Sequence, residues 1–281
     1  MKNIPLLFTL LFIIGTVNTF AQTSCCAKPG STEAFASLSH DKQFVALHLE
    51  PAPFILGKPA GKEITFKTPD GKEGYAYEIK AEKPTGKVVI VIHEWWGLND
   101  YIKKESEKIY NGFGDATVIA IDMYDKKVAD NRDSAGKYMQ SVTSERGEAI
   151  VKGLITYIGP KASIATIGWC FGGGWSMQAS LLAGKQAKAC VMYYGMPEEK
   201  TEKIKNLNAP VLFVFAEKDQ WINKDVLAKF ESNMKVTKKS LEVKKYDADH
   251  AFANPSNPKY NKDFAADAFK IAMSFMKTNL K

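Results

Sequence analysis

Between residues 87 and 218 the chain repeats one pattern: "KVVIVIHE", "TVIAIDMY", "SIATIGW", "KACVMYYG" and "PVLFVFAEK" are near-continuous apolar runs, and helix-like stretches separate them. A run with no polar alternation fits a strand buried on both faces of a sheet. Strands that alternate with helices build a mostly parallel sheet with helices on both faces, so the fold class is α/β. Helices are expected over "NDYIKKESEKIYNGFG" with Asn99 or Asp100 as cap, as one long helix within 133–158, over 172–184, near 200–207, and over 224–235 and 259–279. "LEVKKYD" supplies a last strand. Ahead of the series, "EITFKTPDGKEGYAYEIK" is two alternating runs joined at Pro69-Asp70-Gly71, an N-terminal antiparallel hairpin. No linker or internal repeat interrupts residues 62–281, which read as one domain.

The N-terminus differs in kind. "MKNIPLLFTLLFIIGTVNTFAQ" has one lysine, an apolar run from Ile4 to Ile14 and small or polar residues leading to Ala21. The run is too short to span a bilayer and reads as a signal peptide, residues 1–21, cleaved after Ala21. The protein is therefore expected to be exported, to a periplasm or beyond the cell. A lipid on Cys25 is the weaker alternative membrane link, because Gln22, Thr23 and Ser24 are poor company for a lipidated cysteine. Residues 22–61, with Pro51, Pro53 and Pro59, read as an N-terminal tail with no more than one short helix.

The net charge of +7 comes from lysines spread along the whole chain. With no basic stripe and no interleaved aromatics, nucleic acid is not an expected partner. Four cysteines, Cys25, Cys26, Cys170 and Cys190, are too few for a disulfide framework in 281 residues. Cys190 reads as a small buried apolar residue. No two Cys or His show ligand spacing, so no metal is expected.

Cys170 has a different setting. It follows a strand, precedes a helix and sits in Gly168-x-Cys170-x-Gly172, the nucleophile-elbow pattern with sulfur in place of the serine oxygen. The helix N-terminus behind it favours thiolate and helps hold an oxyanion. The elbow requires an acid and then a histidine after later strands. Of His40, His48, His93 and His250, only His250, in "YDADHAFANP", lies beyond Cys170. Asp219 in "FAEKDQW" is the acid of choice, with Glu217 on the same turn as rival. Asp225 falls inside the next helix, and Asp247 and Asp249 are too near His250 to come from another strand. The order nucleophile, acid, base belongs to the α/β-hydrolase fold. "VIHEWWGLND" ends the first buried strand, and a main-chain N–H there, assigned to Trp95, would complete an oxyanion hole with that of Phe171. His93 is better read as a satisfied core histidine. Trp95, Trp96, Trp169 and Trp221 suggest a small apolar-lined pocket.

"HEWWGLND", "GWCFGGG", "AEKDQWIN" and "DADHAFANP" together resemble the dienelactone hydrolase family over roughly residues 62–280. The resemblance implies a cofactor-free α/β-hydrolase that opens lactones of the carboxymethylenebutenolide type with a Cys170–His250–Asp219 triad. It also implies a role for Glu94, whose counterpart keeps the resting thiol neutral and helps convert it to thiolate when substrate binds. Two arginines hold the substrate carboxylate in well-known members. Lys126 and Asn254 occupy those positions, and neither offers a bidentate fork. Dienelactone itself therefore does not follow, and the partner is a small ester or lactone. A carboxylesterase or lactonase with another substrate, and a non-hydrolytic redox or binding protein on the same scaffold, are the alternatives.

Overall fold

The computed structural model describes residues 30–281. Residues 1–21, read as a signal peptide, and Cys25 and Cys26 lie outside the described residues. Eight strands form one sheet: β1 (Lys62–Lys67), β2 (Glu73–Ile79), β3 (Lys87–Ile92), β4 (Thr117–Asp122), β5 (Ser163–Trp169), β6 (Ala187–Tyr193), β7 (Val211–Ala216) and β8 (Leu241–Tyr246). Their order is β1-β2-β4-β3-β5-β6-β7-β8. The β1–β2 hairpin pairs antiparallel and joins the sheet through an antiparallel β2–β4 contact, while the remaining pairs are parallel. The unbroken apolar runs explain this: β3 to β7 are buried along almost their whole length, whereas β8 and β1 alternate at the edges.

The helices are α1 (Ser31–Ala36), α2 (Lys42–Leu47), α3 (Asp100–Phe113), α4 (Arg132–Ser141), α5 (Ser144–Ile158), α6 (Phe171–Ala183), α7 (Thr201–Ile204), α8 (Lys224–Val236) and α9 (Lys262–Asn279). Asn99 caps α3 by accepting from the Ile102 N–H, and Gly114 ends it at φ 77°. The single helix expected within 133–158 is two. The Thr143 side chain accepts from the Arg146 N–H and starts a new helix, so the backbone breaks between Ser141 and Ser144.

The N-terminal segment departs further from expectation. Instead of a tail, α1, a 3₁₀ turn (Ser37–His40) and α2 pack onto the domain. Phe35 and Phe44 belong to the hydrophobic core. Asp41 caps α2 by accepting from the N–H groups of Gln43 and Phe44. Helices of six residues are too short to establish a periodicity in sequence, which is why the segment read as irregular. Among the described residues no helix is long and apolar enough to cross a membrane.

Parallel strands gather loops at their C-terminal ends. β3 leads there to His93 and Glu94, β5 to Cys170, β7 to Asp219 and β8 to His250.

Candidate active site

Cys170 sits between β5 and α6 at φ 56° and ψ −119°, a conformation that a side chain adopts only under constraint. The glycines around it are the constraint. A Cβ on Gly168 would lie 2.1 Å from the Gly172 carbonyl oxygen, and one on Gly172 would lie 2.3 Å from those of Ile92 and His93. Only bare backbone lets α6 start so close to β5 and β3. The Cys170 N–H is tied to the Tyr193 carbonyl at 3.0 Å, which fixes the turn to β6.

Burial pushes the Cys170 thiol up from its ordinary pKa, against the pull of His250 and of the Phe171 N–H. Neither the Phe171 nor the Trp95 N–H donates to a main-chain carbonyl among the described residues.

His250 and Asp219 are held together. His250 Nδ1 donates to Asp219 Oδ2 at 2.6 Å. The other Asp219 oxygen accepts from the N–H groups of Trp221 (2.9 Å) and Ile222 (3.0 Å), which fixes the carboxylate plane. Burial opposes charge on both partners, yet their mutual attraction wins: Asp219 is lowered and His250 is raised. His250 Nε2 is buried with no hydrogen-bond partner. A ring nitrogen of His250 lies within 4.8 Å of Cys170 Sγ. The rival acids stand elsewhere: Glu217 and Asp225 are exposed, Asp247 pairs with Lys218, and Asp249 with Lys259.

Glu94 is buried, and burial pushes its carboxyl up to about 8, against the His250 charge and a hydrogen bond from Asn254. Asn254 Nδ2 donates to Glu94 Oε1, while its own oxygen accepts from the Ser256 N–H and hydroxyl. Glu94 Oε2 is buried without a partner. Asn254 is itself buried, and its amide is engaged with Glu94. His93 faces the core: the Met123 N–H donates to its Nε2 at 3.0 Å, its Nδ1 bonds the Glu94 carbonyl at 2.8 Å, and burial lowers its pKa to about 4.

The model of the dienelactone hydrolase family matches residues 73–280. The chain belongs to that family. It is 32% identical over 215 residues to protein usf of Aquifex pyrophilus, covering 72% of this chain and 92% of that one. It is 29% identical over 216 residues to an Aquifex aeolicus protein with the provisional name carboxymethylenebutenolidase, covering 72% and 93% of the two chains. Among solved structures, a dienelactone hydrolase-like promiscuous phosphotriesterase from metagenomic libraries superposes with a TM-score of 0.68. It is 17% identical and covers 79% of this chain and 100% of that one, a likeness of fold.

As a dienelactone hydrolase family member the chain is a carboxylic ester hydrolase, and the family match leaves residues 30–72 outside it. Part of that stretch closes the site. Phe44 is fully buried, with its ring edge-on to Trp95 at 5.6 Å and to Trp221 at 5.2 Å, and 5.6 Å from the His250 ring. Trp221 Nε1 donates to Asp41 at 2.9 Å. His48 stacks on Trp95 at 4.8 Å and puts Nε2 3.7 Å from Cys170 Sγ. Trp95 and Trp221, read from sequence as pocket lining, pack instead against this segment, Trp95 against Phe44 and His48 and Trp221 against Phe44. Cys170 is consequently 0% exposed. A small cleft lined by Glu94, Trp169, Ala253 and Asn254 reaches the edge of the site.

Lys126 stands apart. Its ammonium lies 4.2 Å from the centre of the Tyr75 ring, in a cleft of about 330 Å³ lined also by Glu63, Lys103 and Asp122 but by none of Cys170, Asp219 and His250. Sequence reasoning missed Phe44 and His48. The elbow order directs attention to histidines after the nucleophile, and His48 precedes it by 122 residues.

Proposed function

We propose that the protein hydrolyses small activated esters or lactones by acyl transfer through a thioester on Cys170. The observation that carries this reading is the Asp219–His250 pair at 2.6 Å, with His250 Nε2 unpartnered and a ring nitrogen of His250 within 4.8 Å of a sulfur on a strained elbow. His250 takes the Cys170 proton, and the thiolate attacks the carbonyl carbon. The main-chain N–H groups of Phe171 and Trp95 hold the tetrahedral oxyanion. Collapse expels the alkoxide, which takes a proton from the His250 imidazolium, and leaves the thioester. Water, deprotonated by His250, then attacks the thioester and releases the carboxylic acid product and the thiol. Thiolate is a better leaving group than an amine, so esters and lactones are preferred over peptides. Glu94, buried and protonated near neutral pH, is the group poised to accept charge rearrangement when a substrate enters.

The substrate need not carry a free carboxylate. Asn254 is engaged with Glu94, and Lys126 lines a different cleft, so neither supplies the cation that a dienelactone carboxylate would require. Residues 31–48 must move aside before any substrate meets the sulfur. The apolar leader supports export as the setting of this activity.

A panel of aryl esters and lactones, with and without a carboxylate, tests the reading. Cys170→Ala is expected to abolish turnover with the fold intact, and uncharged members are expected to be turned over at least as well as carboxylated ones. Turnover retained by Cys170→Ala would rule out the thioester route.

A further inference from the structure

The proposed hydrolysis gives His48 no work. It comes from the segment ahead of the family-matched residues, yet it is 2% exposed and its Nε2 is within reach of the reactive sulfur. A bulky apolar residue would plug the site equally well, so the imidazole calls for its own account.

The two histidines facing Cys170 are built alike. His48 Nδ1 lies 2.8 Å from the Phe44 carbonyl oxygen, which can only accept, so Nδ1 carries the proton and Nε2 offers its lone pair. His250 Nδ1 is held by Asp219 in the same sense. An imidazole whose far nitrogen donates to a carbonyl or carboxylate is the usual support of a metal-bound histidine, because it fixes both tautomer and ring direction. The rings are also packed in place, His48 on Trp95 and His250 against Tyr194 at 5.0 Å.

We propose that His48, Cys170 and His250 form a metal site for a borderline-soft divalent cation of the Zn²⁺ type, and that its occupation holds the enzyme off. The donor atoms of the three residues lie within 4.8 Å of one another, and His48 Nε2 is 3.7 Å from Cys170 Sγ. Tetrahedral zinc with bonds of about 2.3 Å to sulfur and about 2.05 Å to nitrogen requires S–N edges of about 3.6 Å and N–N edges of about 3.3 Å. The observed triangle needs only a contraction. One thiolate and two imidazoles suit zinc better than magnesium or calcium, which take oxygen donors. Three protein donors leave the fourth position to water.

Charge also balances. Zn²⁺ displaces the Cys170 proton into solvent, while His48 and His250 keep their Nδ1 protons, and the two positive charges face the Cys170 thiolate and the Asp219 carboxylate. The occupied site is therefore neutral, and no redox change is involved. Bound metal would occupy both the sulfur lone pair and His250 Nε2, and would clamp residues 31–48 over the elbow. A thiol bound this way is also shielded from oxidation.

The test uses the chain after chelator treatment, titrated with Zn²⁺ against a chromophoric chelator and in parallel with Co²⁺. One equivalent of zinc is expected to bind, with proton release, and Co²⁺ is expected to give a near-ultraviolet thiolate-to-metal charge-transfer band. Removing a direct ligand in His48→Gln should weaken zinc binding by about 100-fold or more, the upper end of what a lost supporting contact costs. Cys170→Ser should abolish the band. X-ray absorption at the zinc edge needs no variant, and should give one sulfur at about 2.3 Å and two imidazole nitrogens at about 2.0 Å. No stoichiometric binding, unchanged affinity in His48→Gln, or a zinc shell without sulfur would each overturn the proposal. Ester turnover measured in excess chelator reports on the thioester route separately, so the two can fail independently.

Discussion

At the scale of single residues, Asp219 is the clearest case of a side chain doing two things at once. Oδ1 is spent on the Trp221 and Ile222 N–H groups, and Oδ2 receives the His250 proton. In Asp219→Asn the amide oxygen must stay with the two main-chain donors, which turns the amide nitrogen towards His250 Nδ1. His250 would then flip to the tautomer protonated at Nε2 and present a proton, rather than a lone pair, to the sulfur. The expected result is a fall in kcat/KM on an aryl ester by on the order of 10³–10⁴-fold with an unchanged fold, as in other hydrolases where the tautomer is reversed. A loss below tenfold would mean that His250 is not the base. Residue identity made this pair legible in the sequence, since an acid and a histidine had to follow two particular strands. Asn254 was not legible in the same way. Its position suggested a substrate contact, and nothing in the sequence signalled that its amide would also hold Glu94, a buried carboxyl that lacks any other donor.

At the scale of elements, the strands and most helices follow directly from apolar runs and caps, as with Asn99 at α3. The elements that escaped are the short ones. α1 and α2 hold their place by the burial of Phe35 and Phe44 and by the Trp221 hydrogen bond to Asp41, contacts with partners far along the chain that no local window contains. The docked segment makes two predictions. Phe44→Ala removes a fully buried ring and should cost about 3–5 kcal/mol of docking. The Cys170 thiol should then be alkylated by iodoacetamide markedly faster than in the parent chain, and an unchanged rate would show that the segment does not gate the sulfur. The second concerns pH. Burial first, and the His250 charge after it, lower the docked His48 to about 3 from an ordinary 6.5. Between those values the released segment binds more protons than the docked one, so docking is at full strength above pH 6.5 and weakens as pH falls towards 3. Hydrogen exchange corrected for its intrinsic pH dependence should show protection of residues 42–48 falling on acidification. Protection that stays constant, or that falls equally in His48→Gln, would contradict this.

For the whole molecule, the sheet order places β3, β5, β6, β7 and β8 side by side, so groups from residues 94, 170, 219 and 250 meet at one rim. That convergence was readable from the strand pattern and the elbow, because parallel α/β sheets collect their loops at one end. What the pattern could not convey is that the rim is closed, since closure depends on a segment that the domain's own strands do not predict. A site that is complete but covered makes the covalent intermediate the sharpest point of contact with experiment. The most direct measurement is peptide mapping by mass spectrometry after mixing the protein with an aryl ester and quenching in acid during turnover. The account predicts an acyl group on the peptide that contains Cys170, absent once substrate is exhausted. Turnover with the acyl group on any other residue, or with Cys170 never modified, would contradict it.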